Sequence, residues 1–168
     1  EVGGTVYTIS DFVSWQIGNT KIEFSMLECG QHREENLIQE EDYTHIFGGL
    51  FFSVDFNKNF AGKTFVLVDV AQAEFGLIGQ ELQSVLGGNK ELIRLESEEF
   101  EKIFVVYSDD QIEARYILSP SLMEKILELK NTTNNLIEMS FVKNKLYIAI
   151  NKRKGSFEPK LHKSIVDF

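Results

Sequence analysis

The chain has 168 residues, of which 43% are hydrophobic and 26% are charged, values that are ordinary for a soluble globular domain with a core. Its net charge of −9 argues against nucleic acid as the main partner, because phosphate binding requires clustered Lys and Arg. Cys29 is the single cysteine, so no internal disulfide is expected, and no apolar run approaches the roughly 20 residues of a membrane helix.

The first 30 residues predict short strands joined by a hairpin. Residues 2–9 favour a strand that ends at Ser10-Asp11, and residues 13–17 favour a second one. Gly18-Asn19-Thr20 is typical of a turn, and the alternation of residues 21–29 predicts that they pair back on residues 13–17. The strongly acidic residues 31–42 are interpreted as a surface loop or a ragged strand end.

The middle of the chain predicts a second hairpin. Residues 46–56 alternate like a half-buried strand, and residues 64–70 are apolar on both faces, which indicates a central strand. We expect these two strands to pair with each other. Residues 73–86 then show the apolar spacing of a helix, which the Gly87-Gly88 pair would end.

The last half alternates short strands and helices. Residues 91–95 and 103–107 predict strands, with a single helical turn beginning at Ser97 between them. Ser108 is expected to cap one helix, and Ser119-Pro120 to begin another. Residues 136–142 and 146–151 predict a hairpin, and residues 157–166 a closing helix.

This order predicts a single globular domain, residues 1–168, of the α+β class. We expect a mainly antiparallel sheet built from hairpins, with three to four helices packed on it. One core is expected to contain the inward residues of the apolar strands and of the helix after Ser119, namely Phe52, Val54, Phe65, Leu67, Phe104, Val106, Ile126 and Leu127.

Two motifs are interpreted as ordinary surface structure. Ala61-Gly62-Lys63-Thr64 resembles part of a phosphate loop, but a strand rather than a helix is expected after it, which argues against nucleotide binding. Cys29 and His32, with nearby acids and His45, lack the spacing of a structural zinc site. No metal, nucleotide or other cofactor is therefore expected.

The strongest acidic group consists of Asp109, Asp110 and Glu113, with Arg115 beside it. Paired carboxylates perform acid–base catalysis when their pKa values are driven apart. Acids at a helix start also have a structural reason to be there, because the helix dipole favours anions. Both interpretations stay open, and the structural one is preferred because no nucleophile lies nearby in the sequence.

The end of the chain is basic on an otherwise acidic body. Residues 1–142 carry a charge of −14, whereas residues 143–168 carry +5. The basic group is a candidate patch for anionic lipid or a protein partner, and it comprises Lys143, Lys145, Lys152, Arg153 and Lys154. The alternative is plain solvated surface.

Three segments resemble a family of uncharacterised bacterial proteins, the domain of unknown function 3137. They are residues 47–60, 100–107 and 110–123, and residues 140–141, 146–150 and 157–159 fit its tail, so the match spans about residues 45–160. The resemblance implies apolar anchors upstream of this domain, which would tether it to the cytosolic side of the inner membrane. It implies no activity, cofactor or catalytic residue.

These observations favour a non-catalytic binding or scaffolding domain of a membrane-anchored protein. Its expected partner is an unidentified protein or the membrane surface. The alternative is a hydrolase that uses Asp109, Asp110 and Glu113.

Overall fold

The described residues form one antiparallel sheet of eight strands with three helices. The computed structural model describes residues 5–33, 42–69 and 91–151. The strands are β1 (Thr5–Ile17), β2 (Thr20–Arg33), β3 (Asp42–Asp55), β4 (Lys63–Val68), β5 (Glu91–Ile93), β6 (Phe104–Ser108), β7 (Ile137–Val142) and β8 (Lys145–Asn151). The helices are α1 (Glu98–Glu101), α2 (Gln111–Ile117) and α3 (Pro120–Thr133). The order across the sheet is β1-β2-β3-β8-β7-β4-β6-β5.

The expected α+β class with three to four packed helices is wrong, because strands dominate the fold. The first three strands are 13, 14 and 14 residues long, whereas α1 has 4 residues and α2 has 7. Within the described parts of the chain, only α3 is long enough to cover several strands, with 14 residues. The helices expected at residues 73–86 and 157–166 lie outside the described residues.

The expected break at Ser10-Asp11 is a β-bulge inside one continuous strand. The register of β1 against β2 shifts between Ser10 and Val13, and Asp11 takes a left-handed φ of 52°. A bulge accepts one extra residue and bends the strand without ending the ladder. The two short strands that the sequence predicts are therefore the two arms of β1.

The first hairpin is confirmed, and the second is wrong. Residues 13–17 pair with residues 20–24 of β2 across the turn at Gly18 and Asn19. However, β3 pairs with β2 and β8, while β4 lies between β6 and β7. The confirmed β7–β8 hairpin is inserted between the two strands that were expected to pair. The central position of β4 is confirmed.

The core lies between one face of the sheet and the three helices. Its sheet side comprises Val66, Phe104, Val106, Ile137, Met139 and Phe141, and its helix side comprises Phe100, Ala114, Ile117, Met123, Ile126 and Leu127. Ser119 caps α3 by accepting a hydrogen bond from Leu122 N–H, and Pro120 follows it, as predicted. This arrangement buries Met123, Ile126 and Leu127 of α3.

The predicted core is about half right, and it fails in β4. Phe104, Val106, Ile126 and Leu127 are buried in the core, and Phe52 packs against it. Phe65 and Leu67 are wrong, because Val66 points into the core and its two neighbours therefore point to the opposite face. Val54 is only partly buried.

Candidate functional site

The acidic group at the start of α2 is tied to the loop that precedes β4. The two oxygens of the Glu113 carboxylate accept hydrogen bonds from Ala61 N–H at 3.0 Å and from Gly62 N–H at 2.8 Å. The Asp109 carboxylate accepts one from the N–H of Lys63 at 2.5 Å. The backbone N–H groups of three successive residues, the end of the loop and the first residue of β4, are thus bound by two carboxylates that lie about fifty residues later in the chain.

Asp110, and not Ser108, caps α2. Its carboxylate accepts hydrogen bonds from Ile112 N–H and Glu113 N–H, both at 2.9 Å, and its backbone is extended, as an N-cap requires. The predicted capping by Ser108 is therefore wrong by two residues. The prediction failed because Ser and Asp are equally good N-caps, and the sequence Ser108-Asp109-Asp110 offers three candidates in a row.

Ser108 has a different role inside the fold. It is buried at the end of β6, where its hydroxyl lies 3.0 Å from the buried hydroxyl of Thr64 on β4. The same oxygen accepts a hydrogen bond from Asp110 N–H at 3.1 Å and lies 3.2 Å from the carbonyl oxygen of Lys63. It therefore joins β4, β6 and the start of α2 at one point.

The glycine at position 62 of the phosphate-loop-like sequence has a structural reason. A Cβ at this position would collide with the carboxylate of Asp109. A residue without a side chain is what lets the loop approach the acidic group closely enough for its N–H groups to bind the carboxylates. A strand begins at Lys63, as predicted.

The hydrogen bonds in this group stabilise the carboxylates and hold them in place. Asp109, Asp110 and Glu113 all accept backbone hydrogen bonds, and Arg115 extends to the carbonyl oxygen of Arg94 at 3.3 Å. In the described part of the chain, no group of three or more His, Cys, Asp or Glu side chains is placed to hold a metal ion. What the group visibly does is hold the loop at residues 61–63 against α2.

The candidate basic patch is described only in part. Lys143 occupies the β7–β8 turn with a left-handed φ of 57°. Lys145 forms an ion pair with Asp55 on the neighbouring strand β3, and this hydrogen bond raises the pKa of Lys145, with desolvation opposing it. Residues 152–154, which carry the other three basic side chains, lie outside the described residues.

The β1 edge carries exposed apolar side chains that the sequence analysis did not single out. Every residue of β1 is exposed, including Tyr7 at 68%, Phe12 at 63% and Ile17 at 64%. The signal available in the sequence was that residues 6–17 carry apolar side chains on both faces of the strand.

The short depression beside α3 is lined by acids. Glu99 of α1 faces Glu124 and Glu128 of α3 there. Glu128 is paired with Lys125 of the same helix at 3.5 Å, and these carboxylates carry no function by themselves. In the described ranges, none of the helices has the length and apolar content that a membrane crossing requires.

Comparison with known proteins gives one family and no relative of assigned function. A family model described as "Protein of unknown function (DUF3137)" matches residues 45–168. No curated protein and no solved structure matches the chain.

Proposed function

The chain belongs to the DUF3137 family, and we propose that it is a non-catalytic protein-binding domain. The observation that carries the proposal is the exposed strand β1, whose apolar side chains cover both faces of a sheet edge. Natural β-sheet proteins protect such an edge unless another chain occupies it.

The opposite edge strand, β5, is protected against pairing with another chain. β5 has only three residues, and its Glu91 carboxylate is hydrogen-bonded to the side chain of Gln111 on α2. A short edge strand with charged neighbours offers little to pair with. β1 has 13 residues and a single charged one, Asp11. The contrast between the two edges supports β1 as the binding surface.

The acidic group supports a non-catalytic role. A general acid or base needs a carboxylate that is free to exchange a proton with a substrate. Both oxygens of Glu113 and one oxygen of Asp109 instead accept backbone hydrogen bonds from residues 61–63. These bonds explain the group as a structural tie, so no observation favours the hydrolase.

The setting is part of the same proposal. The domain is tethered at the cytosolic side of a bacterial inner membrane by segments outside this chain. The sequence resemblance supports this setting, and the partner then belongs to the same compartment or the same membrane.

Site-specific photo-crosslinking in cells tests the proposal. A benzophenone amino acid replaces Tyr7 on β1 in the full-length protein that contains this chain. The matched control is Tyr116 on α2, which is exposed to 70% and lies in the helix-covered part of the fold. Illumination should give a discrete protein adduct from position 7 and none from position 116.

Each adduct has a defined meaning. A discrete protein adduct that is specific to position 7 supports the proposal. Equal labelling from both positions, no adduct from either, or an adduct that contains only lipid overturns it.

A further inference from the structure

The outer side of β1 is an open backbone edge. In the described parts of the chain β1 pairs with β2 alone, and the sheet order ends at β1. Such an edge presents a row of N–H and C=O groups that can template a further strand. β1 has no Lys and no Pro, two devices that natural proteins use to prevent this pairing.

The arm of β1 before the bulge is the longest regular part of this edge. It runs from Thr5 to Ser10, whereas the register shift at Asp11 separates it from the shorter arm at residues 13–17. The first arm has no charged residue and is rich in β-branched and aromatic side chains, which favour strand pairing.

We propose that this arm pairs antiparallel with the same arm of a second copy of the chain, with Thr8 on the two-fold axis. The inference rests on the proposed function and names the partner of that surface. In an antiparallel pair, directly opposed residues point to the same face of the sheet. A two-fold axis perpendicular to the sheet relates each residue to its own copy on the same face, so the axis must pass between two copies of one residue. With Thr8 at the centre, Tyr7 of one protomer lies opposite Ile9 of the other.

The side chains are compatible with this register. Aromatic residues opposite β-branched residues, and Thr opposite Thr, are favourable cross-strand pairs. The centre at Thr8 forms the Tyr7–Ile9 pair twice and the Thr8–Thr8 pair once. Tyr7 and Ile9, which are 68% and 56% exposed in the single copy, would both lose part of their contact with water.

Charge limits where two copies of the chain can meet. The chain has a net charge of −9, so most contacts between two copies bring acidic surfaces together. The arm at residues 5–10 is neutral, and pairing it with itself places no like charges opposite each other. The pairing also consumes the open edge of both copies, and the short β5 edge is left outside, so assembly stops at a dimer.

The dimer should be weak in solution. A stable protein interface buries about 800 Å² on each partner, and one strand pair buries less. Tethering of both copies to one membrane would raise their effective concentration and compensate for this weakness.

Sedimentation of the 168-residue chain tests the proposal. Wild-type protein between about 1 µM and about 1 mM, a range that brackets weak association, should shift from monomer to dimer. Ile9→Lys places a charge on the pairing arm and should remain monomeric. Ile112→Lys makes the same change at the 83% exposed Ile112 of α2 and should dimerise like the wild type.

Spin labels test the register. In a Cys29→Ser background, single labels are placed at Ser10 or at Gln16, and the distance between the two copies is measured. With the axis at Thr8 and about 3.3 Å per residue, Ser10 labels should be separated by about 13 Å and Gln16 labels by about 50 Å. A shorter distance for Gln16 than for Ser10 overturns the register.

The outcomes separate this inference from the proposed function. Wild-type protein that stays monomeric at every concentration, or Ile9→Lys protein that dimerises like the wild type, overturns the second-copy partner. If position 7 still crosslinks to a different protein in cells, the proposed binding function stands. If position 7 gives no protein adduct at all, both fall.

Discussion

The strands under the helices and the ribbon of β1 and β2 are both rich in apolar residues, yet they differ in what covers them. In the covered region, formed by β4, β6 and β7, Val66, Phe104 and Phe141 are at most 1% exposed. In the ribbon, every residue of β1 is exposed. Burial of apolar area is the main stabilising contribution to folding, so stability comes chiefly from the covered region.

The ribbon is nevertheless attached to the rest of the sheet by a row of aromatic contacts. Trp15 of β1 meets Phe24 of β2 edge to face at 5.7 Å, and Phe24 lies 5.5 Å from Phe52 of β3. Such pairs contribute about 0.5–1.5 kcal/mol beyond the area that they bury. The ribbon is therefore held in register while its outer side chains stay available for contact.

Truncation of one aromatic residue in each region should give the largest difference in stability. Phe104→Ala should lower the free energy of unfolding by about 3–5 kcal/mol, because it leaves a cavity in the core. Tyr7→Ala should change it by no more than about 0.5 kcal/mol, because that side chain is largely exposed. Urea denaturation at low protein concentration measures both. Similar losses for the two variants would contradict the division into a stabilising and a contact region.

The buried hydroxyl pair gives the next largest effect. Ser108→Ala removes the partner of the Thr64 hydroxyl and of Asp110 N–H, and it should destabilise the fold by about 1–3 kcal/mol. The double variant Thr64→Val/Ser108→Ala should lose less than the sum of the two single changes, because it removes both hydroxyls together. Strict additivity would show that the two hydroxyls do not interact.

The cap of α2 should have a smaller effect. Asp110→Ala removes the acceptor for Ile112 N–H and Glu113 N–H and should cost about 1 kcal/mol. Asp110→Asn keeps an acceptor oxygen and serves as the matched control, with most of the stability retained. If the two variants are equally unstable in thermal melts, the charge and not the capping bond is what matters at this position.

The smallest expected effect concerns pH and Glu138 on β7. Desolvation raises the pKa of Glu138 above its ordinary value of 4.5, so the folded chain holds this proton more tightly than the unfolded chain does. Stability from this group is therefore greatest below pH 4.5 and declines as pH rises through the folded pKa. Glu138→Gln should be more stable than wild type at pH 7, because it removes a desolvated charge. The gain should be slight, because the residue as a whole is exposed.

That difference should disappear near pH 4. Glu96→Gln changes the net charge equally at an exposed loop position and is the matched control. A Glu138→Gln protein that is less stable than the wild type at pH 7 would contradict the desolvation of this carboxyl.

Local signals allowed parts of the fold to be predicted. The Gly18 turn, the β7–β8 hairpin and the Ser119-Pro120 helix start depend on residues within a few positions of each other, and all three are confirmed. The pairing of β3 with β8 depends on residues that are 90 positions (Asp55 and Lys145) to 102 positions (Gly49 and Asn151) apart, which no local pattern encodes. The predicted second hairpin failed for this reason.

Which side of β4 faces the core, and which residues the acidic group contacts, could not be predicted for related reasons. β4 has four consecutive apolar residues from Phe65 to Val68, so alternation could not decide that Val66 faces the core. The acids at Asp109 and Glu113 were identified, but their partners at residues 61–63 lie too far away in sequence to be predicted. The exposed edge was missed because apolar residues in a strand ordinarily indicate burial.

The position of the β7–β8 hairpin has a consequence for biosynthesis. Without it, β1-β2-β3 and β4-β6-β5 are two separate small sheets, because β8 pairs with β3 and β7 pairs with β4. On the ribosome, residues 69–151 must still be made after β4 is complete, which takes roughly 4–17 s at usual rates of synthesis. During that interval the nascent chain holds unpaired sides of β3 and β4, the period in which it would be most dependent on chaperones. The last hairpin to emerge joins the two sheets into one.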